Sequence, residues 1–346
     1  MNELYKKPQY GLYTFASSVA ESSWHSTKAE NSYELWRFFA LSDNGELAVS
    51  IVFIDDVNIY GGGTNIHGNK RPAVDLTIFR DGKVIFSKLE EFDPSAFQAK
   101  ADGSGCSIDD NLFTFSSADY GSGYLVSLIL YISEKQRIEL NFEWLSIESD
   151  LSDEKFESAG NGYYWNVVAP RSDVSGKFTI RDTSGIIKET GNFRGTGVHD
   201  HIIGTREMLK GLDQWFSGTA HYNDSTILFS HFNDTENNCE NEFIQIRDGK
   251  MSRMPAKYVQ SRYSRTRYGV KYPRYAHFDG EFGMLIVEPS KTIISNAFMV
   301  RLLNNITLIS QGKEYTTVGM SEIIAPNTRY SRWLLWLNKM SVRESG

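Results

Sequence analysis

The sequence predicts an all-β protein: two antiparallel β-barrels or sandwiches packed side by side, with a short C-terminal helix. Three observations lead there. Apolar runs rich in β-branched and aromatic residues recur along nearly the whole chain, turn residues separate them at short intervals, and the two halves echo each other.

The strands follow in order. In the first half, "ELAVSIVFI" (46–54), "AVDLTIF" (73–79), "KVIFSKL" (83–89), "LVSLILYI" (125–132) and "RIELNFEWLSI" (137–147) each end at turn residues. The second half continues with "KFTIRD", "STILFSHF", "NEFIQIRDGK", "GMLIVE" and "NITLIS". Turns are marked by Asp43-Asn44-Gly45, Asp81-Gly82, Asn223-Asp224 and Asp248-Gly249. From Tyr330 to Met340, Trp333, Trp336, Leu337 and Met340 recur at the spacing of one helix face, which fits a helix packed on a barrel.

The echo has two parts. Arg80-Asp81-Gly82-Lys83 matches Arg247-Asp248-Gly249-Lys250, and Trp36 and Trp215 each precede a polar turn and an apolar strand. Their shared order favours a duplicated β unit joined near 148–162. The expected domains are therefore 1–155 and 156–346.

Composition narrows the function classes. Across 346 residues, 40% hydrophobic and 23% charged content supports a packed core rather than wholesale disorder. Aromatics at 13% suit strands and apolar cavities. The net charge of −7 argues against nucleic acid as the main partner. Cys106 and Cys239 leave one disulfide open but build no framework. The N-terminal stretch lacks an apolar leader, and no run reaches bilayer-spanning length, so the expectation is a soluble cytoplasmic protein with no integral membrane association. Gly61-Gly62-Gly63-Thr64 lacks the lysine and helix of a phosphate loop. Between Met251 and Phe278 basic residues alternate with tyrosines and no acidic residue occurs. That pattern reads as a solvated strand face or a surface for an acidic carrier or a carboxylate.

The stretch "RGTGVHDHIIG" (194–204) carries the candidate chemistry. In a strand, Val198, Asp200 and Ile202 share one face, and His199, His201 and Ile203 share the other. Between two apolar neighbours, a carboxyl is raised in pKa and becomes a general acid. The alternative is an aspartate that satisfies loop amides beside Gly195 and Gly197. His199 and His201 could share a metal with His221 and His231, but no fixed spacing links the four, and no metal or cofactor is expected.

Three segments carry a resemblance: 162–180, 195–204 and 211–232. Through Trp165, Pro170, Val174, Gly176, Gly195, Gly197, His199, Asp200, His201, Gly204, Leu212, Trp215 and Gly218 the chain resembles the hydroxyneurosporene synthase family. That family holds the carotenoid 1,2-hydratases and related double-lipocalin proteins, and lipocalin-like decalin-forming Diels–Alderases share the architecture. Residues 32–53 and 315–324 are similar to its opening and closing strands. The resemblance implies that Asp200 donates a proton and that Trp165 faces a carbocation. The chain departs from the pattern at Tyr163-Tyr164-Trp165, at Val198, and at His201-Ile202-Ile203-Gly204, which suits cyclisation or isomerisation better than delivery of water.

The resulting expectation is a cofactor-independent cyclase or isomerase acting on a hydrophobic, unsaturated isoprenoid or polyketide. Its aromatic-lined pocket would lie near the domain junction. Asp200 would be the acid or polarising donor, with His199 and His201 tuning it. Tyr163, Trp165, Val198 and Trp215 would shape the pocket, and Glu34 and Trp36 would contribute from the first domain. A carotenoid-type hydratase and a non-catalytic carrier are the alternatives.

Overall fold

The computed structural model describes residues 11–26, 32–57, 70–81, 83–118, 121–133, 136–151, 162–205, 211–281, 283–296 and 298–326. The expected C-terminal helix and the Gly61–Thr64 loop lie outside the described residues.

The described residues open with β1 (Thr14–Ala16) and a short 3-10 turn, Ala20–Ser22. Four strands follow: β2 (Tyr33–Ser42), β3 (Leu47–Ile54), β4 (Ala73–Arg80) and β5 (Lys83–Glu91). Next come β6 (Phe97–Ala99), β7 (Gly105–Ile108), β8 (Asn111–Ala118) and β9 (Gly121–Ser133). The first sheet ends with β10 (Gln136–Glu148), β11 (Tyr163–Asp182) and β12 (Ile187–Gly204). Its order is β5-β4-β3-β2-β12-β11-β10-β9-β8-β7-β6, with β1 parallel to β11. The last strand thus returns to pair with β2, and the sheet curls into a near-closed barrel. Its gap lies between β5 and β6. Side chains cross towards that gap: Lys88 donates to the Tyr131 carbonyl, and the Tyr131 amide donates to Glu90.

The second sheet repeats the plan. Its strands are β13 (Leu212–His221), β14 (Thr226–Asp234), β15 (Cys239–Arg247) and β16 (Lys250–Pro255). They continue with β17 (Lys257–Arg265), β18 (Lys271–Gly280), β19 (Gly283–Ser295), β20 (Met299–Ser310) and β21 (Lys313–Ile324). The order is β16-β15-β14-β13-β21-β20-β19-β18-β17, so β21 returns to β13 and the gap falls between β16 and β17.

The sequence echoes fall at matching places. The two RDGK tips join β4 to β5 and β15 to β16, the third and fourth strands counted from β2 and from β13. Asp81 and Asp248 adopt φ of 49° and 52° there, a left-handed turn that aspartate tolerates. Asp43-Asn44-Gly45 and Asn223-Asp224 likewise join equivalent strands. The boundary is a correction. Strands β11 and β12 belong to the first sheet, so a division at 155/156 cuts that sheet, and the change of sheet falls between Gly204 and Leu212. Residues 148–162 connect two neighbouring strands of one barrel, where a polar, Gly-containing stretch looks like a linker.

Three cores result. Trp36, Phe38, Leu128, Leu140 and Trp144 fill the first barrel, and Phe216, Phe229, Phe278 and Val287 fill the second. Outward residues of both sheets form the third, at the seam: Leu35, Val198 and Ile202 meet Leu228, Phe232 and Ile244. Cys106 is buried, Cys239 is exposed, and both are free thiols, so the disulfide left open by the sequence is not formed.

Candidate functional site

Strand alternation on β12 divides the expected residues between two compartments. Val198 and Ile202 lie in the seam, and Asp200, which shares their face, is almost fully buried there. His199 and His201 point into the first barrel. The pleat of β2 does the same, sending Leu35, Arg37 and Phe39 to the seam and Glu34, Trp36 and Phe38 to the lumen. On β11, Tyr163 and Trp165 face the seam.

In the seam, Asp200 sits opposite Arg37 in the β2–β12 register. Arg37 Nε donates to Asp200 Oδ1 at 2.8 Å and Nη2 to Oδ2 at 2.5 Å. Trp165 Nε1 donates to Oδ2 at 2.9 Å. The chain of charges then crosses to the second barrel. Arg37 Nη1 donates to Glu322 Oε1 at 2.5 Å, and Arg301 Nε donates to Glu322 Oε2 at 3.0 Å. Arg301 also reaches the hydroxyl of Ser50. Both guanidinium groups lie over the ring of Phe39, at 5.3 and 4.2 Å from its centroid. Asp75, beside this network, is pushed up to about 6, by burial first, with the Glu322 charge adding and the Arg301 charge opposing.

This pairing corrects the reading of Asp200 as a lone acid between apolar neighbours. A forked guanidinium and an indole N–H hold it as a charge-balanced acceptor. Sequence reasoning missed Arg37, Glu322 and Arg301. Only the long-range pairing of β2 with β12 and the contact between barrels bring them in.

The expected aromatic pocket is also corrected. Tyr13, Trp165, Trp215 and Phe232 pack on one another with ring centroids 5.5–6.1 Å apart, so the rings fill their own space. A cleft of about 350 Å³ opens elsewhere between the barrels, and none of these four rings lines it. Val198, Thr196, His221, Thr219, Gly319 and Met320 are among its walls. Asp200 and Glu322 each lie two residues further along their strands than Val198 and Met320, so the charged network forms the next layer inward. Burial, with the Arg171 charge adding, pushes His221 down to about 3, which leaves a neutral imidazole on the cleft wall.

In the first barrel, His199 stacks on Phe38 at 4.0 Å, its Nδ1 is 3.0 Å from the Arg37 carbonyl, and burial pushes it down to about 3. His201 stacks on Trp36 at 4.6 Å. Its Nε2 is 3.2 Å from Glu34 Oε2 and its Nδ1 is 3.3 Å from the Glu21 carbonyl. His25 Nδ1 is 3.6 Å from the same Glu34 oxygen, and its Nε2 is 3.6 Å from Glu21 Oε2. Burial pushes Glu34 up, but the hydrogen bonds and charges of His201 and His25 outweigh it and hold the carboxyl at about 2. The lumen cluster of His201, Glu34 and Trp36 is therefore separated from Asp200 by the sheet, and the expected tuning of Asp200 by both histidines is not the arrangement found.

The four histidines weighed as metal ligands do not come together. His231 stacks on Tyr258 at 4.1 Å and lies 2.6 Å from the Asn241 side-chain oxygen, and His221 is in the cleft. Among the described residues, the cluster able to hold a metal is His25, Glu34 and His201.

No family model matches the chain. A protein of Chlorobaculum tepidum named hydroxyneurosporene dehydrogenase is 21% identical over 351 residues, spanning 94% of this chain and 91% of that protein. An AttH-type protein of Nitrosomonas europaea superposes with a TM-score of 0.58 at 14% identity, covering 85% of this chain and 92% of its own. CghA superposes with a TM-score of 0.57 at 12% identity, covering 93% and 98%. CghA in complex with Sch210972 gives 0.55 at 13% identity, covering 91% and 97%. Two curled antiparallel sheets and these likenesses give the chain the double lipocalin-like fold that its sequence resemblance implies.

Proposed function

We propose that this chain is a cyclase or isomerase that acts on a hydrophobic, unsaturated isoprenoid or polyketide in the cleft between its barrels. One observation carries the reading: the buried chain Trp165–Asp200–Arg37–Glu322–Arg301 holds Asp200 and Glu322 two residues along their strands from Val198 and Met320 of the cleft wall. Ion pairs taken out of water are a weak source of stability, and polar networks of this kind concentrate at functional sites. Val198 and Met320 offer apolar wall to a polyene, while Arg37, in the layer behind Val198, supplies a fixed positive charge whose field can polarise one substrate oxygen. Asp200 is then a positioning residue that fixes the guanidinium. Much of the rate would come from holding the substrate in its reactive fold. The name of the Chlorobaculum relative and the ligand-bound form of CghA support a small lipophilic ligand. The alkaline stretch 251–278 would be an approach surface for an acidic group, except at Arg253, which is tied inward to Glu242.

Arg37→Met and Asp200→Asn test the assignment. With an acyclic polyene as substrate and a fluorescent polyene fatty acid as binding probe, Arg37→Met should lose about a hundredfold in turnover. Asp200→Asn should lose about tenfold, and both should retain the probe. Equal turnover in all three proteins would remove the network from the mechanism. Probe binding with no turnover in any of them would make the protein a carrier.

A further inference from the structure

We infer that His25, Glu34 and His201 form a binding site for one divalent transition-metal ion of the zinc class, inside the first barrel and separate from the seam. Their ligand atoms all lie within 4.8 Å of one another. Glu34 Oε2 is 3.2 Å from His201 Nε2 and 3.6 Å from His25 Nδ1. A tetrahedral zinc with bonds near 2.0–2.1 Å places its ligands about 3.3 Å apart, so both separations match edges of such a tetrahedron.

Hydrogen-bond bookkeeping points the same way. A neutral imidazole has one N–H and one bare nitrogen. Both nitrogens of His201 face oxygen acceptors, the Glu34 carboxylate and the Glu21 carbonyl. A neutral His201 has one proton for these two contacts. The ring nitrogens of His25 lie 3.6 Å from the Glu34 and Glu21 carboxylates, longer than a hydrogen bond. A divalent cation between the two rings and Glu34 would take a lone pair from one nitrogen of each ring. Each ring then keeps its remaining N–H for Glu21, the outer-shell partner that fixes a metal-bound imidazole. Trp36 stacked on His201 locks that ring, and the Asp55 carboxylate accepts from the Glu34 backbone amide at 2.7 Å.

The ligands come from the stretch after the 3-10 turn, from β2 nine residues later, and from β12, 167 residues beyond Glu34. The ion would therefore pin the segment around residues 20–25 to the barrel. Three protein ligands leave a fourth position for water or for the second Glu34 oxygen.

The full chain, stripped with a chelator and dialysed, should bind one equivalent of zinc by calorimetry. Cobalt(II) should give the visible absorption of a four-coordinate ion. His25→Ala and Glu34→Gln should each weaken zinc binding by at least about a hundredfold, and Glu21→Ala by about tenfold to a hundredfold. His25 lies outside the strands, so the His25→Ala chain should keep its β-sheet circular dichroism. Failure of the unaltered chain to bind zinc stoichiometrically, or equal binding by His25→Ala and Glu34→Gln, would overturn the assignment. Neither result bears on turnover in the seam.

Discussion

At the scale of single residues, the two histidines of "VHDHII" differ in what their ring nitrogens meet. His199 has the Arg37 carbonyl at Nδ1 and the Ser22 hydroxyl 3.5 Å from Nε2, contacts that one neutral tautomer satisfies. Held at about 3 by burial, against an ordinary value near 6.5, it refuses a proton that the unfolded chain accepts. The stability it contributes is present above about pH 6.5 and is lost as pH falls from there towards 3. His199→Phe keeps a ring against Phe38 but cannot titrate. Its urea midpoint should therefore decline less between about pH 7.5 and 4.5 than that of the unaltered chain. Parallel declines would mean that His199 is not held neutral. Asp200 and Arg37 are bound differently, since either one without the other leaves a buried charge uncompensated. Asp200→Asn keeps one acceptor, for Trp165 Nε1 and Arg37 Nη2, but turns an NH2 towards Arg37 Nε. It is still the gentler probe of the pair because it leaves no bare carboxylate or cavity.

At the scale of elements, β12 was readable from its own residues and its neighbours were not. Period-two alternation is local, so the split of Val198, Asp200 and Ile202 from His199, His201 and Ile203 follows from sequence alone. What each face meets is set by pairing with β2, more than 150 residues earlier, and by the second barrel beyond it. Arg37 therefore stayed invisible although "ELWRFF" was in view, and His25 stayed invisible because an irregular segment delivers it. The RDGK and Trp echoes located equivalent hairpins, yet Trp36 fills the first barrel and Trp215 the seam, so shared order did not give shared environment. The glycines of β12 have a packing cause. A Cβ on Gly197 would stand 2.6 Å from Trp144 Nε1 and 2.8 Å from the Phe39 carbonyl oxygen. Gly197→Ala should therefore lose about 1–3 kcal/mol, read as a lower melting temperature. An unchanged melting temperature would show that β12 has slack there.

At the scale of the molecule, two barrels meet along one seam, and the first segment of the chain ties them together. Strand β1 adds to β11, and just before it the Tyr13 hydroxyl donates to Glu242 Oε2 at 2.5 Å while Arg253 lies over the rings of Tyr13 and Phe15. The cleft thus has walls from both barrels, as a site at a junction does. No helix among the described residues is long and apolar enough to cross a membrane. The outer walls of the cleft include Ser42, Asn44, Thr196 and Thr219. Inward of it, the seam beside Arg37 and Asp200 carries Val198, Phe39 and Ile202, side chains that hold no water by hydrogen bonds. Water exclusion at the reacting carbon is what separates cyclisation from hydration. The decisive measurement is the mass of the product formed from an acyclic polyene, isoprenoid or polyketide, in oxygen-18 water. The unaltered chain should convert it to a product of unchanged mass without label, and Arg37→Met should form that product about a hundredfold more slowly. A product heavier by one labelled water would contradict the dry seam and make the enzyme a hydratase.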